Sequence, residues 1–263
     1  MNRLLYNFCS VAMIGLALFF IQSCSEDAKA LEDDAQLSQT ELRTILETDE
    51  ISGVADNALA ELFANNSISG KSINTNECYT AEYSETGFVA TFNNCVLNGT
   101  DNVNGTLTVT YEMSNETISY IAAYEDFYVG TIKINGTRSF TINGDLNQNM
   151  ISFSVTSAIE VEMEDESIIT ENGTKTFGFS FSEDLENTQF TIAGNWTVVY
   201  DGNTYSIETV NDLQGSLTCE YLTTGSMIVE KNGLEITVDF GDGECDDQAT
   251  VIYPNGATEE ITL

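Results

Sequence analysis

From Ile151 to Glu164 the chain reads ISFSVTSAIEVEME, and it alternates throughout. Ile151, Phe153, Val155, Ile159, Val161 and Met163 take the odd positions, with Ser157 the one small polar exception, while Ser, Thr, Ala and Glu fill the even ones. A period of two sends every large apolar side chain to one face of a strand and every acid to the other. At roughly 3.3 Å per residue the segment would extend about 45 Å, well beyond an ordinary strand. A strand this long predicts a large, curved antiparallel sheet with one buried face and one wet, acidic face.

The same alternation recurs downstream of Cys78. Phe88, Ala90 and Phe92 show it, as do Leu107, Val109 and Tyr111, and then Ile118, Tyr120, Ala122 and Tyr124. It returns at Phe177, Phe179 and Phe181, at Phe190, Ile192, Trp196, Val198 and Tyr200, at Leu217, Cys219 and Tyr221, and at Leu234, Ile236, Val238 and Phe240. Asn135-Gly136, Asn172-Gly173, Asp201-Gly202, Asn232-Gly233 and Asn255-Gly256 separate these runs. Type I′ hairpin turns need positive φ at both central residues, so each pair predicts a hairpin. Asn-Gly-Thr triplets are read as such turns followed by a strand former. A single proline, Pro254, leaves the ladders uninterrupted. Ahead of the strands, Ser38-Gln39-Thr40-Glu41 fits a capping box that opens a helix with Leu42, Ile45 and Leu46 on one face. A second helical run follows from about 49 to 65, with a break expected near Gly53. The expected class is mainly β (α+β): a short N-terminal helical region, then an antiparallel meander arranged as two packed sheets or one curled sheet.

The first residues carry an address. Arg3 precedes an apolar run, Val11 to Ile21, too short to span a bilayer comfortably. It ends in Ile21-Gln22-Ser23-Cys24, which resembles a bacterial lipobox. The resemblance implies cleavage before Cys24 and acylation there, and several acyl chains anchor a protein stably. Residues 1–23 are therefore expected to be a lipoprotein signal peptide, 24–36 an acidic flexible tether, 37–66 helical, and 67–263 the antiparallel β domain. With Cys9 removed and Cys24 acylated, Cys78, Cys95, Cys219 and Cys245 remain. An even count in an exported chain reads as two disulfides. Of the three connectivities, Cys78–Cys95 with Cys219–Cys245 is preferred, since each pair brackets a hairpin. Metal binding by these thiols is the rival, and it lacks the CxxC spacing.

Charge narrows the partners. Forty-two acids against eight Lys and Arg give a formal charge of -34, and there is no histidine. Such a surface repels nucleic-acid phosphates and anionic headgroups. Without His there is no Ser-His-Asp triad, and no GxxxxGK[ST] run is present. Carboxylate pairs for glycoside hydrolysis will occur by chance among so many acids and carry little signal. Asp239, Asp242, Glu244, Asp246 and Asp247 crowd one turn, a weak Ca²⁺ candidate whose spacing does not match an EF-hand. Trp196, near Tyr200 and Tyr205, is a sugar-platform candidate, but its parity with Ile192 and Val198 favours core packing.

Two segments echo each other: ATFNNC (90–95) leads into GTLTVTY (105–111), and VDFGDGECDD (238–247) leads into ATVIY (249–253). With the lipobox and the acids after Cys24, this FGDGxCD-type turn resembles exported Bacteroidetes (flavobacterial-type) lipoproteins of unknown function. The resemblance implies location and architecture and offers no catalytic residue. The expected protein is a lipid-anchored, outer-membrane envelope lipoprotein with a non-catalytic binding or structural role, engaging glycan or another envelope protein. A hydrophobic-ligand carrier with a cavity between sheet and helices is the first alternative, and a carboxylate-based hydrolase the second. No cofactor is expected beyond the candidate Ca²⁺.

Overall fold

A computed structural model describes residues 36–64, 73–75, 78–96, 102–113, 118–145, 150–181, 188–216 and 218–263. The expected signal segment, Cys24 and the expected tether up to residue 35 lie outside them. Leu37–Leu263 form one compact unit. Among the described residues it contains one helix, α1 (Gln39–Ala64), and a 14-stranded sheet. The strands are β1 (Ile73–Thr75), β2 (Tyr79–Ser84), β3 (Gly87–Cys95), β4 (Val103–Met113), β5 (Ile118–Val129), β6 (Ile132–Asp145) and β7 (Met150–Glu162). They continue as β8 (Ile168–Ser180), β9 (Gln189–Tyr200), β10 (Asn203–Ser216), β11 (Thr224–Lys231), β12 (Leu234–Asp242), β13 (Gln248–Ile252) and β14 (Thr258–Thr262). Spatial order follows chain order from β1 to β14, and every pairing is antiparallel, so the sheet is an unbroken meander. β1 and β14 are its two ends; it is not a closed barrel.

The capping box forms as the sequence predicts. The Ser38 backbone N–H donates to Glu41 Oε2 at 2.8 Å, and the Glu41 N–H donates back to Ser38 Oγ at 3.2 Å. Leu42, Ile45, Ala55, Ala58, Leu59 and Leu62 are buried, a stripe at helical spacing. The two expected helices are one: α1 runs through Gly53 without a break. One interior glycine costs about 1 kcal/mol, less than the burial of a single leucine on either side of it.

The long strand is present as β7, and its buried residues are Val155, Ser157, Ile159 and Val161, at the odd positions. Asp201-Gly202 and Asn232-Gly233 form the turns expected of them, with positive φ at both residues; Asn255-Gly256 also lies in a turn, but there only Gly256, at φ +81°, is positive. Asn135-Gly136 and Asn172-Gly173 do not: they lie inside β6 and β8. Gly136 has φ +115°, and a Cβ there would sit 2.2 Å from the Ala158 carbonyl oxygen of β7. Gly173 has φ +146°, with the Trp196 Cα of β9 2.4 Å from where its Cβ would be. Positive φ is needed, as the sequence signal says, but for a close approach of neighbouring backbones. Asn135 serves a bulge: its Oδ1 accepts from the Asp126 N–H at 2.8 Å, and Asp126 has φ 44°. In the same way Asn104, of another Asn-Gly-Thr triplet, accepts from the Asn94 N–H at 2.7 Å, and Asn94 has φ 55°. A further correction concerns Cys219 and Tyr221, which follow the end of β10 and belong to no strand.

Two packed sheets are replaced by one sheet that curls, and the contacts of α1 require the curl. Tyr83 of β2 donates its hydroxyl to the Leu62 carbonyl at 3.1 Å. At the other end Gln39 Nε2 donates to the Thr262 carbonyl of β14 at 2.7 Å, and Arg43 Nη2 to that of Leu263 at 2.6 Å. Gln39 and Leu62 are about 35 Å apart along a helix. β2 and β14 would be about 58 Å apart in a flat sheet. The shortfall exceeds what two side chains can span, so the sheet wraps around the helix. Those same side chains occupy backbone acceptors at the β14 end, where an open sheet invites pairing with another chain.

Candidate functional site: an apolar trough between helix and sheet

The helix-facing side of the sheet is longer than the helix covers. Pairing register aligns Ile142 of β6 with Phe153 of β7, Phe177 of β8, Ile192 of β9 and Leu213 of β10 in one row. The adjoining row aligns Ile151, Phe179 and Phe190. Leu213 is buried, but Phe153, Phe177, Phe179, Phe190 and Ile192 are only half-buried, Ile142 is 42% exposed and Phe181 is 40% exposed. The rings run nearly parallel. Phe153 and Phe177 have centroids 5.2 Å apart at 20°, Phe153 and Phe179 6.0 Å at 14°, and Phe179 and Phe181 6.3 Å at 17°. Period-two alternation turns each ring to the same face, and cross-strand pairing brings them together.

This floor continues into a cleft of about 520 Å³ against the first turns of α1. Ile45 and Leu46 of α1 line it together with Phe190, Ile192, Leu213 and Leu222. Arg43, Glu47 and Glu220 supply its charges, and Trp196 lies among its walls.

Beside Trp196 sits a buried charge pair. Lys175 Nζ is 2.8 Å from Glu171 Oε2, and their side chains are 4% and 1% exposed. The Lys175 ammonium also stands 4.6 Å from the Trp196 ring centroid, a geometry that a desolvated cation favours. Trp196 is 4% exposed, and its Nε1 has no hydrogen-bond partner among the described residues. Trp196 is thus a core residue, and Tyr205, 1% exposed, is no part of an exposed sugar platform.

In the first turn of α1, Glu41 joins helix to sheet. Tyr205 of β10 donates to Glu41 Oε1 at 2.6 Å, and Lys231 of β11 lies 2.9 Å from the same oxygen. Burial would raise the Glu41 carboxyl, but hydrogen bonds from Tyr205, Lys231 and Ser38 bring it below its ordinary value of 4.5. Burial, with Glu41 accepting its proton, pushes the Tyr205 phenol well above its usual range.

The four expected cysteines form the two preferred bridges: Cys78–Cys95 with Cα atoms 5.2 Å apart, and Cys219–Cys245 at 5.8 Å. The acids beside Cys245 are used locally. Asp239 Oδ1 accepts from the Gly241 N–H at 2.9 Å, Asp246 Oδ1 accepts from the Gln248 N–H at 3.0 Å, and Asp247 accepts from the Gln248 side chain. Asp242 and Glu244 are exposed, and among the described residues no three acids or cysteines come together as a metal site. Sequence reasoning noticed Phe177, Phe179 and Phe181 but not Glu171 and Lys175. These two share the phenylalanines' odd parity in β8, and parity was the signal that would have placed them inside. Compared with known proteins, the chain matches no family model, no curated protein and no solved structure.

Proposed function

We propose that this chain is a lipid-anchored envelope protein that holds an apolar ligand in the trough between α1 and strands β6 to β10. The observation that carries the reading is the pair of aligned rows from Ile142 to Leu213 and from Ile151 to Phe190, apolar across adjacent strands yet left half-open. A contiguous apolar patch on a surface otherwise this acidic marks a binding surface. Phenylalanine offers no N–H or O–H to a sugar hydroxyl, so the row suits an acyl chain better than a glycan. The cleft volume falls in the range of small-ligand pockets. Ile21-Gln22-Ser23-Cys24 supports the anchor, and acylation at Cys24 would keep the trough close to a supply of lipid.

A side-by-side screen of long-chain lipids and glycans against residues 25–263 tests this. Saturable, near-stoichiometric acyl binding that disappears in a Phe177→Asp, Phe179→Asp variant is the expected result. Glycan retention without lipid retention would sink it.

A further inference from the structure

The two apolar rows have an open end and a closed one, given the trough reading above. Exposure falls from 42% at Ile142 on β6 to 1% at Leu213 on β10. The adjoining row stops at the same strand, where the Phe190 ring takes the space that a Cβ on Gly215 would need. Between the two ends Phe153, Phe177 and Ile192 are half-buried, so the floor is reachable along its length.

Dimensions decide how much chain it takes. From β6 to β10 there are four steps between neighbouring strands, and at about 4.8 Å each they make a row of about 19 Å. A carbon–carbon bond of about 1.5 Å at the tetrahedral angle advances an extended chain by about 1.25 Å, so the row matches about fifteen bonds. Within a strand the rows stand two residues apart, about 6.7 Å, a furrow that admits one chain at carbon–carbon contacts of about 4 Å but not two side by side. Neither row carries a charged or hydrogen-bonding side chain. A polar group laid along it would lose its water without compensation, so only hydrocarbon is matched there.

We propose that the trough takes a single unbranched chain of about sixteen carbons, lying across β6 to β10 with its tail against Leu213 and its head group left outside at Ile142. The floor thereby selects for chain number and chain length.

The experiment uses residues 24–263 with Cys24→Ser, which leaves the chain without acyl groups of its own. Straight-chain primary alcohols, whose one head group is uncharged, are delivered from cyclodextrin in a series from octanol to docosanol, and affinities are taken from equilibrium dialysis. Affinity should rise with each methylene, by up to about fourfold, and level off near hexadecanol, because further carbons find no wall. Ile142→Gln removes the β6 step, so its plateau should come about four carbons earlier. Decanol should bind that variant as it binds the parent, which also shows that the variant is folded. A rise that continues to docosanol overturns the proposal, as does a plateau that Ile142→Gln leaves in place, or dioleoylglycerol competing as well as hexadecanol. Absence of saturable binding by every alcohol overturns the trough reading itself.

Discussion

Lys231 Nζ lies 2.9 Å from Glu41 Oε1, and through this pair β11 holds the first turn of α1. The side chains are 5% and 15% exposed, so neither charge is well solvated. The same carboxylate closes the capping box with Ser38 and accepts from Tyr205. One side chain thus begins the helix and fixes where it sits on the sheet.

Replacing Glu41 by Gln should destabilise the chain by about 3 kcal/mol, because the largely buried Lys231 ammonium then loses its 2.9 Å ion pair with that carboxylate. Urea unfolding should show a lower midpoint at unchanged slope. The pH dependence has a definite sign. A carboxyl whose pKa is depressed on folding adds stability that is fully present above its ordinary value of 4.5 and is lost as pH falls through the depressed value. Below pH 4.5 the parent should therefore lose stability faster than Glu41→Gln, and a constant gap between the two would refute the assignment.

Gly136→Ala and Gly173→Ala should both be strongly destabilising, by about 3 kcal/mol or more, since strain at positive φ adds to a collision with backbone. The atoms met are the Ala158 carbonyl oxygen at 2.2 Å and the Trp196 Cα at 2.4 Å. Gly233→Ala, at φ +88° in an open turn with nothing within 4 Å, should cost only about 1 kcal/mol. Thermal unfolding of the three variants separates the readings. If all three behaved alike, Asn-Gly would have a single role here.

That contrast also shows what the sequence could reveal. Strand identity and facing were legible from Ile151 to Val161 because a period of two has one structural solution. The capping box at Ser38 and Glu41 was legible because both partners are three residues apart. Asn135-Gly136 misled because positive φ serves both a hairpin turn and a mid-strand close approach, and only the neighbouring strand distinguishes them. The trough was hidden for another reason. Phe153, Phe177 and Ile192 become one row only through register, a relation among distant segments that no local pattern carries.

Each disulfide closes a loop of the unfolded chain, with separations of 17 and 26 residues. The chain-entropy model gives about 3 kcal/mol for the first and about 3.5 kcal/mol for the second. Replacing Cys78 and Cys95 together by Ser, or Cys219 and Cys245 together, should lower the unfolding midpoint by comparable amounts. A reductant should then have no further effect on the variant lacking both bridges. A continued drop with reductant in that variant would show another thiol pair at work.

Phe177→Asp should leave the fold nearly intact, because its ring is only half-buried, yet it should weaken acyl binding by at least tenfold. Val155→Asp, two positions from the Phe153 ring but 2% exposed, should unfold the chain instead. Circular dichroism with ligand dialysis distinguishes them. A Phe177→Asp chain that binds as the parent does would remove the floor from the site.

Glu171 and Lys175 lie at i and i+4 on the inner face of β8, 2.8 Å apart beneath Trp196. Two charges taken from water regain much of that loss only while both are present. Lys175→Met alone should destabilise by about 3–5 kcal/mol, since it strands the Glu171 carboxylate in the interior. Glu171→Leu added to it should restore most of that stability, because two apolar side chains of similar size suit the surrounding Ile159, Val155 and Val198. The double-mutant cycle therefore predicts strong coupling of the two sites. Additive losses from the two changes would mean that each charge is satisfied independently, and the pair would not be the unit that holds the inner face of β8 in place.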